Sequence, residues 1–213
     1  LFGNGDGTFQ AAVPYPVGSA PYGLAAADLT GDGSVDLVAA INGGNTIEVL
    51  LNNGDGTFQA AVPYSVGTGP MEIAVADFNG DGKRDLAVSN FDSKDVAILF
   101  GNGDGTFQAA SFILIGSSLE GIIAADFDNN GTFDLAVADD GSNNIGILSG
   151  NGDGTFGPVQ FYAVGSYAAG LVAGDFNNDG KADLAVTNTY SDNVAVLLNE
   201  TNSPSRGAPF LDR

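Results

Sequence analysis

Short apolar runs separated by polar, glycine-rich loops make up most of this chain, and their order recurs with a period of 49 residues. The hexapeptide Asn-Gly-Asp-Gly-Thr-Phe starts at Asn4, Asn53, Asn102 and Asn151. An acidic loop starts at Asp28, Asp77, Asp126 and Asp175, so both series advance by 49 at every step. A fixed period of this length is typical of proteins built from repeated structural units.

Each repeat contains four segments of strand length. In the first repeat, residues 23–27 precede the acidic loop, residues 36–40 follow it, and residues 47–51 form a third run rich in β-branched side chains. The Asn-Gly-Asp-Gly turn supplies residues that tolerate positive φ, as a hairpin requires, and a fourth segment such as 9–15 returns after it. No segment has helical periodicity, so the pattern predicts an all-β fold.

Four short antiparallel strands per repeat predict a β-propeller built from four 49-residue blades. The repeat units cover residues 1–50, 51–99, 100–148 and 149–198, and residues 199–213 are interpreted as a linker or tail. A β-helix is the second architecture considered, but its coils are shorter and do not need two Gly-Asp loops per unit. The four blades could close a small ring or form part of a larger one, including a ring completed by a second chain in a homodimer.

The charge balance is strongly acidic, with 26 acidic against six basic residues and a net charge of −20. Such a surface repels nucleic acid and anionic membranes, so we expect no nucleic-acid partner. No stretch approaches the ~20 apolar residues of a spanning helix, so we expect no membrane insertion. The acid excess indicates either a highly solvated surface or bound cations that the formal charge omits.

The absence of Cys and His excludes thiol chemistry, the commonest general base and the usual zinc ligands. The carboxylates outside the acidic loops include Glu48, Glu72, Glu120 and Glu200, and no motif pairs them. We therefore expect a non-catalytic protein. The alternative is an accessory or catalytic propeller domain of a secreted polysaccharide-degrading enzyme, and a third interpretation is a structural stretch of a surface-protein array.

The acidic loops have the composition of a calcium site. Oxygen-bearing side chains recur at loop positions 1, 3, 5 and 9, position 6 is always Gly, and position 7 can contribute its backbone carbonyl. Ca²⁺ binds six to eight oxygens at ~2.3–2.6 Å, which such a loop can supply. The predicted ligands of about four Ca²⁺ ions are Asp28, Thr30, Asp32, Ser34, Asp36, Asp77, Asn79, Asp81, Lys83, Asp85, Asp126, Asp128, Asn130, Thr132, Asp134, Asp175, Asn177, Asp179, Lys181 and Asp183.

Two other interpretations of these loops compete with a calcium site between β-strands. Asp-Gly turns without metal are common, but three mutually repelling acids in each of four loops favour a bound cation. An EF-hand would need flanking helices and a Glu at position 12, where this sequence has Ala39, Val88, Val137 and Val186. The hairpin acids Asp6, Asp55, Asp104 and Asp153 could be secondary cation sites, although a structural turn also explains them.

The motif Asp-x-[Asn/Asp/Thr]-x-[Asp/Asn]-Gly-x-x-Asp, followed by Leu and small apolar residues, resembles the FG-GAP or VCBS repeats found also in the heads of integrin α-subunits. The resemblance covers residues 1–199. It implies Ca²⁺ in loops between the first two strands of each blade, on the face opposite the usual ligand-binding face. It also implies a secreted or cell-surface location and a role in adhesion.

Residues that differ between the repeats indicate where a partner binds, because residues required for the fold should be the same in every blade. The segment before the first strand and the loop between the second and third strands both vary, and both lie on the face away from the acidic loops. The aromatic and sulfur-containing residues there predict contacts with a protein or carbohydrate. These candidates are Tyr22, Met71, Tyr167 and Tyr190. Drift in exposed loops would explain the same variation.

Overall fold

The computed structural model describes residues 3–200, which form fifteen β-strands in four antiparallel sheets. Sheet 1 contains β1 (Pro21–Ala27), β2 (Asp36–Ile41), β3 (Thr46–Leu50) and β4 (Val62–Ser65). Sheet 2 contains β5 (Pro70–Ala76), β6 (Asp85–Asn90), β7 (Asp95–Leu99) and β8 (Ser111–Leu114). Sheet 3 contains β9 (Leu119–Ala125), β10 (Asp134–Asp139), β11 (Asn144–Leu148) and β12 (Gln160–Ala163). Sheet 4 contains β13 (Ala168–Gly174), β14 (Asp183–Asn188) and β15 (Asn193–Leu197).

The prediction of an all-β propeller fold from four-stranded blades is confirmed. Within residues 3–200, helical structure is limited to two short 3-10 turns, Asn42–Gly44 and Asp140–Ser142. Each complete sheet takes three strands from one 49-residue unit and its fourth from the next, so the sheets run across the unit bounds used for the sequence. Of the predicted tail, residues 201–213 lie outside the described residues.

The sheets pack face to face in chain order, with one apolar cluster between each pair of neighbours. The middle strand β6 shows how one strand serves two interfaces. Leu86 and Val88 contribute to the cluster shared with sheet 1, while Ala87 contributes to the cluster shared with sheet 3. Side chains alternate between the two faces of a strand, so a run of consecutive apolar residues is buried on both sides.

The first strand of each sheet lies closest to the other sheets. β1 contacts β5, β5 contacts β9, and β9 contacts β13, whereas β1 and β13 share no comparable contact within residues 3–200. The fourth strands lie at the opposite edge of their sheets. In the described part of the chain, the four sheets are therefore joined in series, and the first and fourth sheets each have one face without a neighbouring sheet.

One predicted strand differs from its copies elsewhere in the chain. The sequence predicts a fourth strand over residues 9–15, but within residues 3–200 the only β-pairing of this segment is the isolated Gly3–Phe9 bridge. In the other copies, this strand pairs with the strand that precedes the same hairpin, as β4 pairs with β3.

Among residues 3–200, no helix has the length and apolar character needed to cross a membrane.

Candidate metal centre

Each acidic loop connects the first and second strands of a sheet, so the four loops occupy equivalent positions on one face. The glycine at loop position 6 has a positive φ in every copy, between 82° and 87°. A residue with a Cβ would be strained in that conformation, which explains why the position does not vary. These four glycines are Gly33, Gly82, Gly131 and Gly180.

The aspartate at loop position 1 binds the backbone of its own loop. Asp28 Oδ2 accepts a hydrogen bond from Gly33 N at 2.9 Å, and Asp28 Oδ1 accepts one from Gly31 N at 2.7 Å. The bond from Gly33 contributes most to lowering the pKa of Asp28 below its ordinary value. Equivalent bonds are made by Asp77, Asp126 and Asp175. The backbone of the loop therefore orients all four carboxylates, and the same bond from position 6 contributes most to lowering the pKa of Asp175.

The aspartate at loop position 9 is buried and fastens the loop to the sheet. Asp85 is fully buried; its Oδ2 accepts from Phe78 N at 2.9 Å and its Oδ1 accepts from Gly101 N at 2.9 Å. The same pair of backbone bonds recurs at Asp36, Asp134 and Asp183. Burial raises the pKa of Asp85 and of Asp134. This second role has no signature in the sequence, because both partner groups belong to the backbone.

The third loop brings three carboxylates together. One oxygen of each of Asp126, Asp128 and Asp134 lies within 4.8 Å of the others, and within residues 3–200 no other group of three acidic side chains meets this spacing. Calcium–oxygen distances of ~2.3–2.6 Å allow ligand atoms at this separation to share one ion. The donor set, carboxylates and carbonyls without nitrogen or sulfur, suits a hard cation such as Ca²⁺.

The other three loops carry their third carboxylate at position 5 instead of position 3, and there it binds the backbone of position 7, as Asn130 does in the third loop. Asp32 Oδ1 accepts from Ser34 N at 2.7 Å, and Asp81 Oδ1 accepts from Lys83 N at 3.0 Å. Lys83 Nζ also lies 3.4 Å from Asp81 Oδ2, and Asp179 and Lys181 make a similar pair at 3.8 Å. All twenty predicted ligand residues thus lie in the loops, but the structure brings the carboxylates closest together in the third.

The hairpin acids are bound by their own turns. Asp104 Oδ1 accepts hydrogen bonds from both the backbone and the hydroxyl of Thr106, at 3.0 and 2.5 Å. The hydroxyl bond contributes most to lowering the pKa of Asp104. The equivalent bonds recur at Asp6, Asp55 and Asp153. A structural turn therefore accounts for these residues without a cation.

On the opposite face, the structure joins two of the four predicted partner residues. The rings of Tyr167 and Tyr190 have centroids 4.6 Å apart, and the hydroxyl of Tyr167 donates to Glu120 Oε1 at 3.3 Å. Burial raises the pKa of Glu120, and the charge of Glu120 raises that of Tyr167. Sequence reasoning did not place Glu120 in this group, because it lies one repeat before Tyr167.

The remaining two predicted partner residues have contrasting surroundings. Tyr22 is 65% exposed at the start of β1. Met71 is only 8% exposed, and Asn42 Nδ2 lies 3.5 Å from its sulfur, so Met71 belongs to the packing between sheets 1 and 2. An exposed role for Met71 does not agree with this position.

Serial four-stranded sheets with an acidic loop between the first two strands define a repeat protein of the β-propeller class. The model of the FG-GAP-like repeat matches residues 28–88, 77–137 and 126–186. These matches together cover more than half of the chain, and the chain belongs to the FG-GAP-like repeat family. No curated protein matches it in sequence.

Solved structures show the same fold at low sequence identity. A lectin of Agrocybe aegerita, described as recognising non-reducing terminal N-acetylglucosamine, is 23% identical over 82% of this chain and 51% of its own, with a TM-score of 0.52. A streptogramin B lyase is 18% identical over 85% of this chain and 52% of its own, with a TM-score of 0.59. The biofilm matrix protein Bap1 of V. cholerae is 20% identical over 84% of this chain and 27% of its own, with a TM-score of 0.54. The chain thus spans about half of the first two proteins and less of the third.

Proposed function

We propose that this chain is a calcium-binding propeller module that acts outside the cell, binds a protein or carbohydrate, and does not catalyse a reaction. The observation that carries the proposal is the third loop, where the oxygens of Asp126, Asp128 and Asp134 lie within 4.8 Å of one another. The same loop pattern occurs four times, and twelve of the 26 acidic residues belong to it. We expect about four ions, one in each loop.

A bound Ca²⁺ would supply positive charge at the face where the acidic loops meet solvent. In the third loop, the carboxylates of Asp126, Asp128 and Asp134 would hold the ion, with Asn130 and the backbone of Thr132 completing its ligands. In all four loops, the position-5 side chain accepts a bond from the backbone N of position 7 and would turn from it towards the ion. The loops would then be more rigid, because metal bound only by the folded state stabilises that state.

The extracellular assignment is supported by the family, since FG-GAP-like repeats are typical of extracellular proteins. A binding role is supported by the Tyr167–Tyr190 pair, in which Tyr190 is exposed and the hydroxyl of the half-buried Tyr167 bonds to Glu120. Aromatic rings with a neighbouring hydrogen-bond acceptor suit the apolar faces and hydroxyls of sugars as well as peptide side chains.

Calcium binding is tested by calorimetric titration and thermal unfolding of the whole chain at fixed ionic strength. We expect Ca²⁺ to raise the melting temperature, because one site contributes about 2.7 kcal/mol when the free ion is 100 times its Kd. The variant Asp128→Asn should weaken binding at one site, whereas Asp104→Asn, in a hairpin, should leave the titration unchanged. Equal melting in Ca²⁺ and in chelator would contradict the proposal.

Partner binding and the absence of catalysis are tested with a panel of glycans and polysaccharides. We expect retention on one class of glycan or on an extracellular protein, weakened by Tyr190→Ala and unaffected by Leu114→Ala at an exposed position of β8. Incubation with acidic and neutral polysaccharides should release no reducing ends and no unsaturated products. Release that survives purification would favour the polysaccharide-degrading alternative.

A further inference from the structure

Two aromatic rings and two carboxylates form a patch on the face opposite the acidic loops, where sheets 3 and 4 meet. We call it the tyrosine patch and define it by Tyr167, Tyr190, Glu120 and Asp140. At the positions of the two rings, the other three sheets carry small or acidic residues: Ala20 and Gly43, Gly69 and Asp92, and Ser118 and Gly141. The repeated fold therefore does not require aromatic rings at this place.

The exposure of Tyr190 is a property of its position in the sheet. The residue is 75% exposed, in the loop between β14 and β15. Asp92 and Gly141, the equivalent residues of sheets 2 and 3, are also exposed, although both of those sheets have a neighbouring sheet on each face. An aromatic side chain at this loop position therefore gains little from burial within the chain and presents its ring to solvent.

Hydrogen bonds hold the two rings in place. The backbone N of Tyr190 donates to Ser166 O at 3.1 Å, which ties its loop to the segment before β13. Tyr167 is fastened to sheet 3, because its backbone N donates to Asn143 Oδ1 at 3.1 Å and its hydroxyl donates to Glu120 Oε1 at 3.3 Å. The patch is therefore ordered before a ligand arrives, which lowers the entropic cost of binding.

Tyr167 also has a backbone conformation that bulky residues seldom adopt. Its φ is 61°, in the left-handed region, and the equivalent residue of sheet 2 is Gly69, with a φ of 68°. A bulky side chain is strained in that region, whereas glycine is not. Strain of this kind is typical of residues that serve binding instead of stability.

The patch carries negative charge that no cation of the described chain balances. Within residues 3–200, neither Glu120 nor Asp140 forms an ion pair with a basic side chain. Burial raises the pKa of both carboxyls, and the charge of Asp140 adds to the rise at Glu120. The faces of the two tyrosine rings also carry partial negative charge, which attracts cations. A positively charged group bound here would relieve the repulsion between the two carboxylates.

The hydrogen-bonding groups of the patch favour a cation over a sugar. A sugar hydroxyl both donates and accepts, whereas ionised carboxylates only accept, and the Tyr167 hydroxyl already donates to Glu120. Arginine matches these groups better than lysine, because its guanidinium is planar, stacks on aromatic rings and has five N–H donors. The net charge of −20 would in addition attract a basic protein surface from a distance.

We propose that the tyrosine patch binds an arginine side chain of a protein partner. The guanidinium stacks on the exposed ring of Tyr190, and its N–H groups bind the carboxylates of Glu120 and Asp140. This inference rests on the proposed binding function and names its ligand as a basic protein surface instead of a glycan. The acidic loops, on the opposite face, remain available for calcium while the partner is bound.

The test is a titration of the whole chain with three matched peptides, which are capped glycine peptides with arginine, lysine or citrulline at the centre. Citrulline has nearly the shape of arginine but no charge. Binding is followed by proton–nitrogen NMR at millimolar peptide, in Ca²⁺ and at an ionic strength of about 0.15 M, where a Debye length of about 8 Å limits unspecific attraction. We expect arginine to shift the amide signals of Tyr167 and Tyr190 most, lysine to shift them less, and citrulline to leave them unchanged.

Variants separate the patch from the overall charge of the chain. Tyr190→Ala should raise the Kd of the arginine peptide about threefold to tenfold, because the stacked ring is lost, whereas Tyr190→Phe should retain binding. Glu120→Gln should also weaken binding, while it keeps an acceptor for the Tyr167 hydroxyl. Asp92→Asn, which removes one charge at the equivalent loop of sheet 2, should leave the Kd close to that of the parent chain. Thermal unfolding of each variant shows that it is folded.

The results distinguish the arginine proposal from the broader binding function. No shift with the arginine peptide, equal shifts with arginine and citrulline, or an equal Kd for Tyr190→Ala and the parent chain would each overturn the proposal. If a glycan is then retained and Tyr190→Ala weakens its retention, the binding function stands with a carbohydrate ligand. If no peptide, glycan or extracellular protein binds through Tyr190, the binding function fails as well.

Discussion

At the scale of single residues, the acidic loops divide their carboxylates between two tasks. Position 1 orders the loop, and position 9 joins the loop to the segment after the third strand, as Asp85 does through Phe78 N and Gly101 N. A calcium ion would therefore bind to carboxylates that already have hydrogen-bond partners. The metal-free loop is preorganised to this extent, because its backbone amides hold part of the negative charge in place.

These two tasks can be separated by substitution. We expect Asp85→Asn to destabilise the chain by about 1–3 kcal/mol even in chelator. The side-chain NH₂ of Asn would replace one carboxylate oxygen, so one buried backbone N–H would lose its acceptor. Asp81→Asn, at an exposed loop position, should cost little in chelator and act mainly by weakening the response to Ca²⁺. Urea unfolding of both variants, with and without Ca²⁺, is the measurement. Equal stability of Asp85→Asn and the parent chain in chelator would contradict the structural role of position 9.

At the scale of strands and sheets, the first strands of neighbouring sheets lie so close together that only small residues fit at some of their positions. A Cβ on Gly121 of β9 would lie 2.3 Å from the carbonyl oxygen of Ala169 in β13. A Cβ on Gly170, the equivalent residue of β13, would have only the Thr187 hydroxyl at 3.3 Å. The difference follows from position alone: β9 has a neighbouring sheet on that side, and β13 has none within residues 3–200.

The pair supplies a matched experiment. Gly121→Ala should cost about 1–3 kcal/mol, because backbone atoms must move to accommodate the methyl group. Gly170→Ala should be close to neutral, because the added methyl group would meet only the Thr187 hydroxyl. Urea midpoints of the two variants decide the matter. Similar losses at both positions would mean that the inner strands do not approach as closely as described.

At the scale of the whole molecule, the net charge of −20 opposes compact folding. The four acidic loops lie on one face, so much of the repulsion is concentrated there. Bound calcium would offset part of this repulsion, and dissolved salt would screen the remaining repulsion between exposed charges. Charge screening and specific metal binding should therefore be separable effects on the stability of this chain.

Salt and calcium can be varied independently to show this. In chelator, raising NaCl from about 0.01 to 1 M shortens the Debye length from ~30 to ~3 Å and should raise the melting temperature. At 1 M NaCl, millimolar Ca²⁺ should still raise it further, whereas the same concentration of Mg²⁺ should raise it less, since Mg²⁺ keeps its waters more firmly. If high salt abolished the effect of Ca²⁺, the ion would be acting by screening alone.

The sequence by itself determined the 49-residue period, the strand order, the propeller fold and the position of the acidic loops. These follow from local rules: side chains alternate along a strand, and glycine is needed where φ is positive. Only the tertiary structure decided that Asp85 is buried, that the carboxylates draw together in the third loop, that Met71 is covered, and that Tyr167 meets Tyr190 and Glu120. The reason is physical: these features depend on distances between residues far apart in the chain, which sheet packing sets and the repeat alone does not.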